Sequence, residues 1–315
     1  MTINRLLIFG TGFIANNYIN HCIAEDPSRQ IKVIFNKHMI SSDSSKVEQI
    51  LMNEDSVREI IESFQPTNIL CLHGNSFVPN CLKIRDAIED NALKTMDFLE
   101  IVHNSDAKAF LEKILIIGSA SEYGKYYKEA IRENYPLHAT SLYGLSKISL
   151  YNASMYYFDR GLPVVYVRQF NTTGADQRDC FVLSSFCKQI VEIEKGIKTP
   201  EILVGDLSQE RDFIDIRDTC LAYSLLFEKG KIGEVYNVSS GELIMIKDLL
   251  DLIIRVADLD VDVNASHRED LCSTENVLSR RLHADITKLR NLGFKTKYQL
   301  SDIVLSSLNY WRKNV

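Results

Sequence analysis

The 315-residue chain reads as an α/β protein, a doubly wound parallel sheet followed by a smaller, mostly helical C-terminal unit. Three observations predict it. Short apolar strands alternate with helical segments through the first half, a glycine pair closes the first strand, and helices dominate after residue 175.

Arg5–Phe9 (RLLIF) is apolar after its arginine and ends at Gly10-Thr11-Gly12, which predicts a buried strand and then a helix to about Ala24. Ile31–Phe35 (IKVIF) is the second strand, followed by a polar stretch at 36–46. A helix near 54–64, a strand at Ile69–Leu72, helical periodicity over 84–104 and a strand at Leu111–Ile117 continue the alternation. The helix bearing Tyr143 runs to about Phe158, and Pro163–Arg168 is the next strand. Beyond 175 the helices fall at 181–196, 217–228, 246–257 and 301–312. Residues 1–174 are therefore expected to form a dinucleotide-binding domain that also receives strands from about 211–240. Residues 175–315 form a substrate domain interleaved with it, at the carboxyl edge where open α/β sheets bind ligands.

Composition narrows the chemistry. With 45% apolar residues the chain can bury a sizeable core, and its net charge of −6 comes without any Lys/Arg-rich run. Nucleic acid and anionic membranes are thereby excluded as main partners. Seven cysteines (22, 71, 81, 180, 187, 220, 272) show no Cys-x-x-Cys spacing, so neither structural zinc nor a disulfide framework is expected, and no metal site. The N-terminus has no leader pattern and no apolar run nears the roughly 20 residues that span a bilayer. A cytoplasmic protein with reduced thiols is the expectation.

Gly10 and Gly12 let the backbone approach a pyrophosphate, with Phe13 and Ile14 opening the helix whose N-terminus attracts its charge. At the end of the second strand, an acidic residue would bind the ribose 2′-hydroxyl of NAD. Asn36 and Lys37 stand there instead, a pair that fits the 2′-phosphate of NADP better while leaving NAD possible. Tyr143 and Lys147, four apart on a helix, project from one face, and the ammonium favours the phenolate. Ser119, 24 positions before Tyr143, can then hold a carbonyl oxygen while a hydride arrives from the dinucleotide.

These residues resemble the extended short-chain dehydrogenase/reductases that act on nucleotide sugars, most closely the GDP-4-keto-6-deoxy-D-mannose reductases and related dTDP-sugar 4-ketoreductases. The resemblance spans nearly the whole chain, through Gly10–Ala15, Asn91, Gly118–Gly124, Tyr143–Lys147, Arg168–Gly174, Phe181-Val182, Val204–Leu207, Arg211–Asp218, Gly233–Val238 and Tyr310–Arg312. It implies a Rossmann-type domain, an NADPH or NAD cofactor, a nucleotide-diphosphate sugar substrate and a homodimer. Tyr143 would protonate the sugar C4 oxygen, Lys147 would tune Tyr143 and hold the nicotinamide ribose, and Ser119 would orient the keto oxygen. Asn171 would meet the nucleotide sugar and Arg211 would clamp its diphosphate, a task suited to a guanidinium fork. Arg281 is a second candidate phosphate contact. The third-strand signature reads Cys71-Leu72-His73-Gly74, which sets Leu72 against the cofactor and gives His73 a structural role.

The same scaffold serves dehydratases, epimerases and reductases, so the residues after Ser119 decide between them. A 4,6-dehydratase carries Asp or Glu one or two positions on, where this chain has Ala120 and Ser121. Glu122 comes one step later, on the opposite face of an extended segment. Ser121 and Glu122 are assigned to the substrate side. A 4-ketoreductase consuming NADPH is the expected activity, with an NAD-dependent 4-epimerase as the alternative.

Overall fold

The computed structural model describes residues 5–36, 39, 47–75, 83–124, 127–264 and 281–315. The first strand, β1 (Arg5–Phe9), passes through Gly10–Gly12 into α1 (Phe13–Glu25). Next come β2 (Gln30–Phe35), β3 (Val47–Leu51), α2 (Glu54–Phe64) and β4 (Asn68–Cys71). Helix α2 shows why these segments fold locally as they do. Asn53 caps it by accepting the Ser56 N–H at 2.8 Å, Glu54 and Asp55 occupy its positive first turn, and Gln65 ends it in the left-handed region at φ 48°. Val57, Ile60, Ile61 and Phe64, at helical spacing, form its buried face.

A helical stretch follows in three pieces, α3 (Ile84–Ile88), a π-helical turn (Glu89–Leu93) and α4 (Lys94–Asn104). Then come β5 (Lys113–Ile117), α5 (Leu142–Phe158), β6 (Val164–Gln169) and β7 (Asn171–Thr173). The last third comprises α6 (Val182–Glu194), β8 (Glu201–Leu203), β9 (Glu210–Asp215), α7 (Ile216–Lys229), β10 (Val235–Val238) and β11 (Leu243–Met245). It ends with α8 (Ile246–Ala257), β12 (Asp262–Asn264), β13 (Arg281–Leu282), α9 (Thr287–Arg290) and α10 (Leu300–Asn314).

Seven strands make one parallel sheet in the order β10-β6-β5-β4-β1-β2-β3, doubly wound about β1. Pleating divides each strand between two cores. Leu6 and Ile8 pack with Tyr18, Ile19, Tyr223 and Leu226 of α1 and α7. Leu7 and Phe9 pack on the other face with Ile61, Phe98, Leu99 and Leu150 of α2, α4 and α5. A third core, including Phe186, Ile190, Leu249, Ile253, Val304 and Leu308, joins α6, α8 and α10 beyond the sheet's carboxyl edge.

Two strand expectations differ from the structure. The polar stretch at 36–46 leads into β3, an edge strand whose partly exposed residues carry no continuous apolar run; it pairs with β2, helped by a Lys32–Glu48 ion pair at 2.7 Å. Of the strands expected from 211–240, β10 joins the main sheet beside β6. Strand β9 instead pairs with β7, β11 and β13 in a separate four-stranded sheet.

Candidate functional site

The strand order reverses between β1 and β4, and a cleft of about 1030 Å³ opens there, above the carboxyl ends of the parallel strands. One end is lined by Gly10, Gly12, Phe13, Ile14, Asn36 and Leu72. Gly10 has φ +108°, and a Cβ there would lie 2.6 Å from the His73 amide nitrogen, so only glycine lets β1 turn this close to the end of β4. Gly12 has φ +118° and open space where its Cβ would point. It also precedes α1, whose first turn has neither a side-chain cap nor an acidic residue. That end of the cleft is a cradle of backbone N–H groups at a positive helix terminus, which fits a dinucleotide pyrophosphate. Asn36 lines the cleft, while Lys37 lies outside the described residues.

Farther along, Ser119, Ser121, Tyr143 and Lys147 line the same cleft. Ser119 follows β5 and caps a short 3-10 turn, its Oγ accepting the Ser121 N–H at 3.1 Å. The Ser119 hydroxyl proton is thus left for an outside acceptor. Helix α5, capped by Ser141, carries Tyr143 and Lys147 on adjacent turns, and the two residues are 7% and 6% exposed. The Lys147 Nζ donates to the Ile117 carbonyl at 3.1 Å and lies 6.0 Å from the Tyr143 ring centre. The spacing read from the sequence therefore brings all three groups to one wall.

His73 also borders the cleft but is held otherwise. Its ring stacks on Phe9 and its Nδ1 sits 3.1 Å from the Asp90 carbonyl, while burial pulls its pKa down to about 4. This arrangement keeps it neutral and fits a structural part. Asn171, Thr172, Asp176, Arg178, Cys180 and Phe181 also line the cleft. The Asn171 Nδ2 donates to the Asp212 carbonyl at 3.2 Å.

Arg211 shares a face of β9 with Phe213 and lies opposite Leu282 of β13; both neighbours line the cleft. Its guanidinium donates to the Glu210 carbonyl and the Gln209 side chain, and burial lowers its pKa to about 10, so it is charged at neutral pH.

Two site assignments need correction. Glu122, read as a substrate contact, is fully buried behind the wall, with its carboxylate bound to the Ser119 N–H, Tyr166 and Arg168. Arg281, read as a phosphate contact, alternates with Leu282 and so projects from the other face of β13. Its Nε lies 3.9 Å from the Glu210 carboxylate. Ser121, by contrast, does line the cleft.

The sequence reading overlooked Arg178 and the local part of Asn91. Arg178 stands in the loop between β7 and α6, and its only signal was its closeness to Asn171. The π-helical turn directs Asn91 inward, where its Oδ1 accepts the Asn75 N–H at 2.7 Å. The same atom would lie 2.7 Å from any Cβ at Gly74.

A family model described as GDP-mannose 4,6 dehydratase matches residues 13–306. The chain is similar to the GDP-6-deoxy-D-mannose reductase of Pseudomonas aeruginosa, 26% identical over 84% of this chain and 86% of that protein. The structure of RMD from Pseudomonas aeruginosa complexed with NADPH superposes with a TM-score of 0.79 at 24% identity, covering 98% of this chain and 99% of that one. The UDP-glucose 4-epimerase of Thermus thermophilus in complex with NAD does so at 0.82 and 19%, covering 98% and 100%. The two structures establish the shared fold.

Proposed function

The chain belongs to the GDP-mannose 4,6-dehydratase family, and from that premise we propose that it reduces the C4 keto group of a nucleotide-diphosphate 4-keto-6-deoxyhexose with NADPH. The observation that carries this reading is the environment of Ser119. A 4,6-dehydratase needs a carboxyl group within reach of the sugar there, and the nearest one, Glu122, is buried and bound to three donors on the far side of the turn. Ala120 and Ser121 occupy the intervening positions and supply neither acid nor base. Beside Ser119 the cleft wall offers a hydroxyl, a phenol and an ammonium, a set suited to moving one proton.

NADPH, when bound, supplies the hydride. The N-terminal end of α1 and the glycine turn would hold its pyrophosphate, and Asn36 would face its adenosine ribose. Ser119 donates its hydroxyl hydrogen bond to the keto oxygen and fixes its direction. Tyr143 delivers the proton from its Oη to that oxygen. Lys147, anchored on the Ile117 carbonyl, keeps positive charge beside the phenol and favours the phenolate left behind. Asn171, Arg178 and Arg211 hold the nucleotide-diphosphate end, where a guanidinium matches phosphate oxygens. Two copies of the chain pair as a homodimer through helices within 91–103 and 147–158; the reaction runs in the cytoplasm, and its product feeds a surface polysaccharide. Size-exclusion chromatography with light scattering tests the pairing, and a mass near the monomer's 36.0 kDa would contradict it.

The reduction is tested with NADPH carrying deuterium at the transferred position. The 6-deoxyhexose product should gain one deuterium at C4. An NAD-dependent 4-epimerase, built on the same three side chains, would return its own hydride to the sugar and incorporate none.

A further inference from the structure

Glu122 is buried behind the cleft wall, yet its carboxylate joins the end of β5 to β6. Its Oε1 accepts the Ser119 N–H at 2.8 Å and the Tyr166 hydroxyl at 2.8 Å, and its Oε2 accepts Arg168 Nε at 2.8 Å. The Tyr166 hydroxyl also lies 3.2 Å from the carbonyl of Lys147. The carboxylate and the Tyr166 hydroxyl together tie the end of β5, the middle of β6 and the Lys147 turn of α5. Arg168 is itself anchored on the Tyr123 hydroxyl at 3.0 Å and the Glu133 carbonyl at 2.8 Å, and is 2% exposed. The neighbouring glycine is part of the arrangement, because a Cβ on Gly118 would collide with both Glu122 Oε1 and Tyr166 Oη.

We propose that Glu122 and Tyr166 are positioning residues that hold the Ser119 hydroxyl in register with Tyr143 and Lys147. The link is specific. Ser119 and Lys147 stand on different elements, and the Glu122–Tyr166 pair is a buried polar connection running from the backbone of one to the backbone of the other. The same strand end is bound a second time, by the Lys147 Nζ on the Ile117 carbonyl. Proton delivery needs the Ser119 and Tyr143 oxygens to converge on one carbonyl oxygen, and a displacement near 1 Å can cost on the order of a hundredfold in rate. Binding of either ligand makes no such demand.

The inference rests on the proposed hydride-transfer reading but is tested apart from it. Both reduction and epimerisation at C4 use the same three side chains, so the comparison is made with whichever nucleotide sugar the wild-type enzyme turns over. Tyr166→Phe removes the shared hydroxyl and leaves the Glu122–Arg168 pair and the Ser119 bond in place. It should lower kcat about tenfold or more, with the KM for sugar and cofactor and the Tm near wild type. Unchanged kcat would overturn the proposal. So would a fall in kcat accompanied by a raised KM and a lowered Tm, the mark of a residue that only maintains the fold. If that variant does not fold, Glu122→Gln, which keeps the shape but sets an amide against Arg168, is judged by the same split. Loss of reductase activity in the wild type itself would refute the proposed reaction and leave this comparison to the epimerase assay.

Discussion

Tyr143 carries the heaviest chemical assignment, and a single oxygen tests it. Tyr143→Phe should reduce turnover by about 10²–10⁴-fold, the usual contribution of general acid catalysis, while NADPH binding measured by fluorescence stays close to wild type. Near-normal turnover would remove Tyr143 as proton donor. Arg211→Ala should raise the KM for the nucleotide sugar and leave kcat within a few-fold, because the lost contact is to a part of the substrate that does not react. An unchanged KM would place Arg211 outside the diphosphate site. Ser119, Tyr143 and Lys147 could be read from sequence because helical spacing and a strand end fix where side chains project. Glu122 and Arg281 could not, because burial and strand face decide their roles, and neither is visible in the identity of a carboxylate or a guanidinium.

Elements position these residues through their ends. Strand β5 delivers Ser119 through Gly118, which has no room for a side chain beside Glu122 and Tyr166. Gly118→Ala should therefore destabilise the protein by about 1–3 kcal/mol, the range for forced overpacking. Its chemical denaturation midpoint reports this, and a midpoint equal to wild type would show that the wall yields freely. Long apolar elements such as β1 and β5 were readable, as were helices with a clear buried face such as α2 and α8. The edge strand β3, the two-residue β13 and the π-helical turn around Asn91 were not. Edge strands are half solvated, and π-helical turns are short and rare, with no residue pattern of their own.

For the whole molecule, the parallel sheet sets the cleft, and α6 of the third core adds Val182 and Leu183 to its lining. The alternation of strands and helices made that architecture predictable, whereas the separate sheet around β9 depends on pairings between residues far apart in sequence. The fold also carries a pH dependence. Burial lowers His73 to about 4, against an ordinary value near 6.5. Between those values the unfolded chain takes up a proton that the native protein refuses, so stability should fall as pH drops from about 6.5 to about 4 and gain no further loss from this group below that. Denaturation at pH 7 and pH 5 should show a smaller difference for His73→Asn than for wild type. Equal differences would show that His73 titrates normally.

The proposed reaction is tested most directly by following NADPH absorbance with purified protein. GDP-4-keto-6-deoxymannose and dTDP-4-keto-6-deoxyglucose are supplied separately, each generated in place by its dehydratase. Oxidation of NADPH in step with loss of one keto sugar is the expected result, and it identifies the nucleotide. No oxidation with either sugar, from a protein that purifies with NAD already bound, would contradict the reductase and point to the 4-epimerase.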